Sequence, residues 1–256
     1  MLLGVDIGNT NIVFGLFQDQ RLLMHWRIRT ERNRTTDEYW VLVQEFIRLN
    51  QADPETIDAL IVSCVVPPLV PVFQELSLKY FDTDALIVGP GMKTGIAILY
   101  KNPLEVGADR IVNAVAGYEK YGGPLILVDF GTATTFDAIS EKGEYLGGAI
   151  APGVRISLEA LFRNTAKLAP VDLALPERVI GRSTMESIQS GTVYGFVGMI
   201  DHIVARMQAE MGNQPRVVGT GGLVNVIADQ VTSLQTVDEF LTLDGLRILY
   251  EKNRKS

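Results

Sequence analysis

The sequence predicts an α/β protein made of two similar halves, each built on a mixed β-sheet. The first observation is a repeated motif, in which an apolar run ends in Asp, Gly follows one residue later, and small polar side chains come next. Its two copies are Leu2-Leu-Gly-Val-Asp6-Ile-Gly8-Asn-Thr10 and Leu125-Ile-Leu-Val-Asp129-Phe-Gly131-Thr-Ala-Thr134. The second observation is that a strand pair and then alternating helices and strands follow each copy. This repeated order predicts one architecture used twice, with halves at residues 1–118 and 119–256.

In the first half, the apolar run before Asp6 is typical of a buried strand. Alternating patterns predict further strands at Asn11–Phe17, Leu22–Arg29, Ala59–Val66 and Ala85–Val88. Thr36 and Asp37 are candidate caps of a helix whose predicted apolar face is Val41, Leu42, Phe46, Ile47 and Leu49. Pro67 and Pro68 favour a second helix start, because the N–H that proline lacks has no partner there. A third helix is predicted at Ile111–Glu119.

In the second half, the apolar run before Asp129 predicts the matching buried strand. Strands are predicted at Thr135–Ser140, Tyr145–Ile150, Arg216–Val218 and Leu234–Val237. Helices are predicted at Val154–Arg163, Ser183–Met211, Leu223–Gln230 and from Leu241 onwards. The long helix carries an apolar stripe that includes Ile188, Phe196 and Ile200, for which core packing is the default interpretation. Gly191, Gly195 and Gly198 along it would permit close helix–helix approach, which also suits a dimer interface.

Composition and charge restrict the class of protein. The chain has 256 residues, of which 47% are apolar and 21% charged, as in an ordinary globular protein. The net charge of −7 argues against nonspecific nucleic-acid binding, so we expect no nucleic-acid partner. A strand follows Met1 directly, and no apolar stretch approaches the ~18 residues that span a membrane. These features predict a cytoplasmic protein without a membrane partner, and the single cysteine, Cys64, is interpreted as a structural thiol.

The repeated motif has the chemistry of a phosphate-binding loop. An Asp at the end of a strand can hold a cation, and the following Gly lets the backbone turn tightly next to a ligand. Asn9, Thr10 and Thr132 can donate hydrogen bonds to an anion. Two such loops facing each other would bind the phosphates of a nucleotide from both sides. A strand-turn-strand hairpin with a turn Asp would explain one copy equally well, but the matched pair favours phosphate binding.

A glycine cluster, Gly219-Thr-Gly221-Gly222, follows a predicted strand and precedes a predicted helix. Without side chains, this backbone would let a flat adenine or ribose lie directly against it. A tight strand-to-helix turn is the alternative explanation. After two phosphate loops in the same chain, the nucleoside site is the favoured interpretation.

The candidate catalytic segment is Glu105-Val-Gly107-Ala-Asp109-Arg110, which leads into a predicted helix. Near that N-terminus, the helix dipole is expected to keep Asp109 ionised. An ionised carboxylate could accept the proton of an attacking hydroxyl, as the general base of a kinase does. The alternative is that Asp109 is an N-cap with a salt-bridged Arg110, and residue chemistry alone leaves both interpretations open.

Together these motifs resemble a known family. The paired Asp-Gly-Thr loops are similar to those of the ATPases related to actin, the sugar and acetate kinases and the chaperone ATPases. The narrower resemblance is to the type III pantothenate kinases, and it covers essentially the whole chain. It comes from Asp6-Ile-Gly-Asn-Thr-Asn11, Gly107-Ala-Asp-Arg110 and Asp129-Phe-Gly-Thr-Ala-Thr-Thr135 in this order. The resemblance implies a duplicated ribonuclease-H-like (actin-like ATPase) fold and transfer of the ATP γ-phosphate to the primary hydroxyl of pantothenate, the first step of coenzyme A biosynthesis.

The resemblance also implies roles for individual residues. Asp109 would be the general base, Asp129 would bind a monovalent cation (K⁺ or NH₄⁺), and Asp6 would contact a water ligand of Mg²⁺. A homodimer is expected, with Thr184 lining the acceptor pocket at the subunit interface. The implied ATP-binding residues are Asp6, Ile7, Gly8, Asn9, Thr10, Asn11, Ile12, Val13 and Thr132, joined by the candidate nucleoside residues Gly219, Gly221 and Gly222; the implied pantothenate-binding residues are Tyr100, Gly107, Ala108, Asp109, Arg110 and Thr184.

Two other functions remain as alternatives from the sequence. A kinase for a sugar or hydroxy acid on the same fold would share every phosphate-binding residue and differ only in its acceptor pocket. An ATP-binding regulator without turnover would need neither Asp109 nor Asp129, so the presence of both carboxylates argues against it.

Overall fold

The computed structural model describes residues 1–165, 168–212 and 214–254, and the chain forms two compact units. Unit 1 comprises Met1–Gly95, Lys101–Ala116 and Leu241–Ser256, and unit 2 comprises Ile96–Tyr100 and Gly117–Phe240. The units therefore differ from the expected halves chiefly in that the C-terminal segment belongs with the N-terminal sheet. Across the described ranges, no helix combines the length and the apolar character that spanning a membrane requires.

The secondary structure follows the predicted order with small changes in bounds. The strands are β1 (Leu2–Ile7), β2 (Asn11–Gln18), β3 (Arg21–Arg29), β4 (Ala59–Cys64), β5 (Leu86–Ile87), β6 (Ala97–Ile98), β7 (Leu125–Phe130), β8 (Ala133–Ile139), β9 (Glu144–Pro152), β10 (Arg216–Thr220) and β11 (Thr236–Val237). The helices are α1 (Thr36–Leu49), α2 (Val70–Phe81), α3 (Ala108–Tyr121), α4 (Val154–Arg163), α5 (Thr184–Met211), α6 (Val224–Ile227) and α7 (Leu241–Asn253). Short 3-10 turns precede α2 and follow α6.

The two sheets have the same strand order, which confirms the predicted duplication. The order is β3-β2-β1-β4-β5 in unit 1 and β11-β10-β7-β8-β9-β6 in unit 2. Without β6 and read in the opposite direction, the order of the second sheet is β9-β8-β7-β10-β11, which corresponds strand by strand to β3-β2-β1-β4-β5. In both sheets the central strand, β1 or β7, has an antiparallel neighbour on one side and a parallel neighbour on the other. The additional strand, β6, was not predicted from the sequence.

The strand register around each motif Asp is also repeated. In unit 1, Asp6 of β1 pairs with Ser63 of the parallel strand β4. In unit 2, Asp129 of β7 pairs with Thr220 of the parallel strand β10. Each carboxylate therefore has a buried hydroxyl residue beside it on the same face of its sheet. This second shared feature supports a common origin for the two loops, and it could not be read from the motif alone.

Helix α1 corrects two details of the prediction. Its N-cap is Thr35 rather than Thr36 or Asp37, and Glu38 completes a capping box with Thr35. Its buried face includes Tyr39 and Val43, whereas the predicted core residues Val41 and Leu49 are 57% and 69% exposed. The face is set by packing, because the Tyr39 ring lies against Phe73 of α2, with ring centroids 5.1 Å apart.

The long helix α5 packs one face into the core of unit 2. Ile188 and Ile200 of the predicted stripe are buried there, together with Val193 and Val204. Phe196, Met199 and Ile203 are partly buried and pack on the same cluster. A Cβ added at Gly191, Gly195 or Gly198 would have no heavy atom within 4 Å. Within the described residues, these glycines therefore do not mediate a close helix–helix contact.

Candidate active site

The first phosphate loop joins β1 to β2 in unit 1. The Gly8 N–H donates to the Asn11 carbonyl at 3.0 Å, which closes the turn. The Thr30 hydroxyl donates to the Gly8 carbonyl at 2.7 Å and fixes the turn to the end of β3. Asn9 and Thr10 are exposed at the tip, and Asp6 is half-buried at the end of β1. The loop thus presents polar side chains at its surface, as the sequence predicted.

Not every residue of that predicted segment presents a side chain to a ligand. Ile7 and Ile12 are fully buried in the core, so they can contribute only backbone groups to a nucleotide site. Arg32 was missed, although its Nη2 donates to Asn9 Oδ1 at 3.2 Å and brings a positive charge to the loop. Arg32 follows β3 in a stretch without a recognisable motif, so no sequence signal indicated this contact. It lies next to Asn9 only because the hairpin of β2 and β3 is folded.

The candidate base, Asp109, lies in the first turn of α3, also in unit 1. The helix begins at Ala108, three residues before the predicted start, so Asp109 is inside the helix rather than its N-cap. Asp109 Oδ1 accepts a hydrogen bond from the Arg110 N–H at 2.8 Å. A Cβ on Gly107 would lie 2.5 Å from Asp109 Oδ1, so a side chain there would force the carboxylate to move.

The pKa of Asp109 depends on burial as well as on nearby charge. The helix dipole was expected to keep this carboxylate ionised, but burial raises the pKa of Asp109 above its usual value. The Arg110 backbone N–H and the Arg110 charge lower the pKa, and burial outweighs them. The argument from the helix dipole considered only charge, and it left out burial, which has the larger effect on this pKa. A carboxylate with a raised pKa is a stronger proton acceptor once it is ionised.

The second phosphate loop and the glycine cluster meet in unit 2. The Gly131 N–H donates to the Ala133 carbonyl at 3.1 Å and closes a turn one residue shorter than that of the first loop. Gly221 has a φ of +96°, and a Cβ there would overlap Asp129 Oδ1. The structure therefore brings Asp129 and Gly221 into direct contact. Thr132, the predicted phosphate donor, is exposed on the same loop.

The glycines of the cluster have different surroundings. Gly219 is buried within β10, and a Cβ there would lie 3.2 Å from Leu234 and 3.1 Å from Val224. Its lack of a side chain therefore serves core packing rather than an open surface. Gly222 is exposed after the strand, and Gly221 is half-buried. Asp129 and the Phe130 backbone occupy the side-chain space of Gly221, so of the three glycines only Gly222 presents exposed backbone to a nucleoside.

Asp129 has further oxygen atoms on the neighbouring strand. The hydroxyl of Thr220, its register partner on β10, is buried and makes no hydrogen bond within the described residues. Among those residues, no group of three or more His, Cys, Asp or Glu side chains could hold a metal ion. A cation at Asp129 would therefore need hydroxyl or carbonyl oxygens as additional ligands.

Tyr100 lies beside β9 in unit 2. Its ring would be 3.5 Å from a Cβ on Gly147, which has a φ of +127°. Its ring centroid is 6.3 Å from that of Tyr145, whose hydroxyl donates to Asp137 Oδ1 at 2.7 Å. Asp137 is fully buried, and no role was predicted for it. The Tyr145 ring of this buried pair is next to Tyr100. Tyr100 belongs to unit 2, whereas the other predicted pantothenate-binding residues Gly107–Arg110 belong to unit 1.

Thr184 is the first residue of α5 and lines an open cavity of about 950 Å³ between α4 and α5. The Ser183 hydroxyl caps the helix by accepting from the Glu186 N–H at 3.2 Å. Large apolar side chains near this end are exposed, among them Ile180 at 83% and Met185 at 54%. Thr184 therefore lies beside a surface with apolar character.

Cys64 is half-buried and its thiol donates to the Val66 carbonyl at 3.1 Å. Burial raises the pKa of this thiol, and the nearby Asp6 charge raises it further. A thiol with a raised pKa is a poor nucleophile, which fits the structural interpretation.

Comparison with known proteins identifies the relatives of this chain. The family model described as Type III pantothenate kinase matches residues 2–206. A type III pantothenate kinase of Geobacter sulfurreducens is 56% identical over 255 residues, with all of both chains covered. A type III pantothenate kinase of Myxococcus xanthus is 55% identical over 256 residues, again with full coverage of both chains.

Solved structures of low identity share the fold. A Campylobacter jejuni protein described as a conserved putative Baf family transcriptional activator has a TM-score of 0.61 at 20% identity, with 98% of each chain covered. The activator of the 2-hydroxyisocaproyl-CoA dehydratase from Clostridium difficile has a TM-score of 0.52 at 13% identity, covering 100% of this chain and 98% of its own. A putative N-acetylmannosamine kinase from Listeria monocytogenes has a TM-score of 0.54 at 10% identity, with 99% of each chain covered. These neighbours confirm the predicted actin-like ATPase fold.

The contact between Gly221 and Asp129 can be tested with Gly221→Ala. The added Cβ would overlap Asp129 Oδ1 and lie 2.7 Å from the Phe130 nitrogen, so it would displace both the carboxylate and the end of β7. We therefore expect kcat/KM for ATP to fall by about 10²-fold, as for a misplacement near 1 Å. Steady-state kinetics at varied ATP would measure the loss.

The matched control is Gly212→Ala. Gly212 also has a positive φ, +69°, but a Cβ there meets no heavy atom within 4 Å. Backbone strain without a clash should lower the melting temperature and leave kcat/KM unchanged. Equal kinetic losses in both variants would mean that strain, and not contact with Asp129, explains the effect.

Proposed function

This chain belongs to the type III pantothenate kinase family, and from that premise we propose how its residues carry out the reaction. The enzyme transfers the γ-phosphate of ATP to pantothenate and forms 4′-phosphopantothenate, the first step of coenzyme A biosynthesis. Family membership over the full chain separates this function from a sugar kinase or a regulator on the same fold. The observation that supports the residue roles most directly is the buried Asp109 carboxylate against Gly107.

Asp109 is the general base in this proposal. The primary hydroxyl oxygen of pantothenate attacks the γ-phosphorus, its proton passes to an Asp109 oxygen, and the bond to ADP breaks. The raised pKa brings Asp109 closer to the pKa of an effective base. The Arg110 N–H bond fixes one carboxylate oxygen, so the other is oriented for the incoming hydroxyl.

ATP is bound by the two phosphate loops and by the glycine surface. Asn9 and Thr10 of the first loop and Thr132 of the second are exposed donors for phosphate oxygens. Adenine or ribose would lie against the exposed backbone of Gly222. Asp6, a half-exposed carboxylate at the end of β1, fits a water ligand of Mg²⁺, and the bound ion supplies positive charge to the phosphates.

Asp129 is the proposed ligand of a monovalent cation, K⁺ or NH₄⁺. The fit rests on two observations, the carboxylate in contact with Gly221 and the buried, unbonded Thr220 hydroxyl on the next strand. Oxygen ligands of this type suit a hard cation. When bound, the cation would supply a countercharge for Asp129. Gly221 leaves room for that carboxylate because it has no side chain.

Pantothenate is proposed to contact Tyr100, Gly107, Ala108, Arg110 and Thr184, and the enzyme to act as a homodimer in the cytoplasm. The dimer proposal rests on the cavity at Thr184 and on the exposed apolar residues around it, including Ile180 and Met185. Exposed apolar patches of this kind mark interaction surfaces. A second copy of the chain would complete the acceptor pocket beside Thr184.

The base assignment predicts the effect of Asp109→Asn. We expect kcat to fall by about 10²–10⁴-fold, because Asn cannot accept the proton. The unfolding free energy should stay equal or rise at neutral pH. A raised pKa in the folded protein means that its stabilising effect is present below the unfolded pKa and is lost as the pH rises through the folded pKa. The ionised side chain is therefore destabilising at pH 7, and Asn removes that cost.

Turnover and denaturant unfolding should be measured together with the control Asp19→Asn. Asp19→Asn is the same chemical change in an exposed turn, where Asp19 has a φ of +51° that Asn tolerates. In the wild-type enzyme, kcat should fall on the acidic side at a higher pH than an ordinary Asp would give. Near-normal turnover of Asp109→Asn would assign this residue to structure instead.

The cation assignment predicts a dependence on K⁺ or NH₄⁺. In sodium or Tris buffer with potassium removed, turnover should be low and should rise when either ion is added. Asp129→Asn and Thr220→Val should weaken this response, whereas Thr220→Ser keeps the hydroxyl and should preserve it. Equal rates with and without the added cations would contradict the assignment.

The dimer assignment predicts complementation between inactive chains. Asp109→Asn chains mixed with Thr184→Trp chains should form heterodimers in which one of the two pockets has both native residues. A 1:1 mixture should recover about a quarter of wild-type turnover, since half of the dimers are mixed and half of their sites are intact. Full activity of a monomer in sedimentation, or no recovery despite proven subunit exchange, would exclude the shared pocket.

A further inference from the structure

The C-terminal helix α7 lies beyond residues 2–206, which the family model matches, yet it belongs to the same compact unit as Asp6 and Asp109. It packs on the face of the sheet that carries Asp6. A Cβ on Gly4 of β1 would lie 3.5 Å from Leu246, and a Cβ on Gly15 of β2 would lie 3.0 Å from Leu243. Gly4 and Asp6 are two residues apart on β1, so they are on the same face.

The same helix meets α3 through an unusually close backbone contact. A Cβ on Gly245 would overlap the Val112 carbonyl oxygen and lie 2.7 Å from Val112 Cγ1. One turn earlier in α7, the Thr242 hydroxyl donates to Asn113 Oδ1 at 2.8 Å. Asn113 is 1% exposed, so this bond is made inside the unit.

These contacts are made one turn after the candidate base on α3. Val112 and Asn113 are three and four residues after Asp109, which places them on the adjacent turn of α3. On the other side, Gly107 leaves no room for a side chain next to the carboxylate. The first turns of α3 are therefore constrained from both ends, by Gly107 and by α7.

We propose that Gly245 and Thr242 are positioning residues, which hold the first turns of α3 so that the Asp109 carboxylate stays in its buried position relative to the strand carrying Asp6. Gly245 sets how closely the two helices approach, and Thr242 sets the position of one along the other. This inference rests on the proposed role of Asp109 as the base. Proton transfer needs such control, since a displacement near 1 Å lowers turnover by about 10²-fold.

The steric part is tested with Gly245→Ala. Ala favours a helix more than Gly does, so a loss would come from the contact with Val112 and not from helix propensity. We expect kcat to fall at least about tenfold, and the acidic side of its pH profile to move to lower pH as Asp109 becomes hydrated. The matched control is Gly89→Ala, also in unit 1, where a Cβ meets no heavy atom within 4 Å. It should change neither quantity.

The hydrogen-bond part is tested with Thr242→Val and Thr242→Ser. Val keeps the shape and leaves Asn113 Oδ1 without the Thr242 donor, so kcat should fall; Ser keeps the hydroxyl and should restore it. This pair also decides the matter if Gly245→Ala does not fold, which circular dichroism would reveal. Wild-type kcat and an unchanged pH profile in folded Thr242→Val and Gly245→Ala would overturn the proposal.

A double-mutant cycle separates this proposal from the role of Asp109. If α7 acts through the base, Gly245→Ala or Thr242→Val should cost little further turnover in an Asp109→Asn background. An equal loss in both backgrounds would show that α7 acts elsewhere and would overturn the inference. Near-normal turnover of Asp109→Asn alone would instead refute the base assignment, which is a separate outcome.

Discussion

Close contact with glycine backbone is the constraint on which both candidate carboxylates, Asp109 in unit 1 and Asp129 in unit 2, depend. A side chain at Gly107 would lie 2.5 Å from Asp109 Oδ1, and one at Gly221 would overlap Asp129 Oδ1. Gly245 adds a third contact of the same kind, between the base helix and α7. In each case the missing Cβ leaves room that a carboxylate or a helix backbone occupies. The site is therefore assembled by steric exclusion as much as by hydrogen bonds.

Burial and the charge of Arg110 have opposite effects on the pKa of Asp109. Burial raises its pKa, while the Arg110 N–H and charge lower it, and burial is the larger effect. The result is a carboxylate that is less stable as an anion than a surface Asp and hence a better proton acceptor. The same burial makes the ionised residue a destabilising feature of the fold. Catalytic groups commonly carry this conflict between stability and function.

The duplicated architecture gives the two units related loops and different surroundings. Asp6 and Asp129 share the end of a central strand and a hydroxyl neighbour on the parallel strand. Unit 1 contains the first turns of α3, which carry the proposed base, and α7, which contacts those turns at Asn113. Unit 2 adds the glycine cluster and the long helix α5 beside the Thr184 cavity. In the proposed mechanism, a common scaffold thus carries the base in one unit and the candidate nucleoside and cation sites in the other.

The sequence by itself determined the duplication, the order of the elements and the phosphate loops, because these follow from local patterns of apolar residues, Asp and Gly. It also carried the family resemblance that the comparisons confirm. Tertiary structure alone decided the buried face of α1, the packing role of Gly219, the placement of α7 with unit 1 and the raised pKa of Asp109. The physical reason is that burial and close contact depend on residues far apart in the chain. Gly245 meets Val112, and Gly221 meets Asp129, only after the chain has folded.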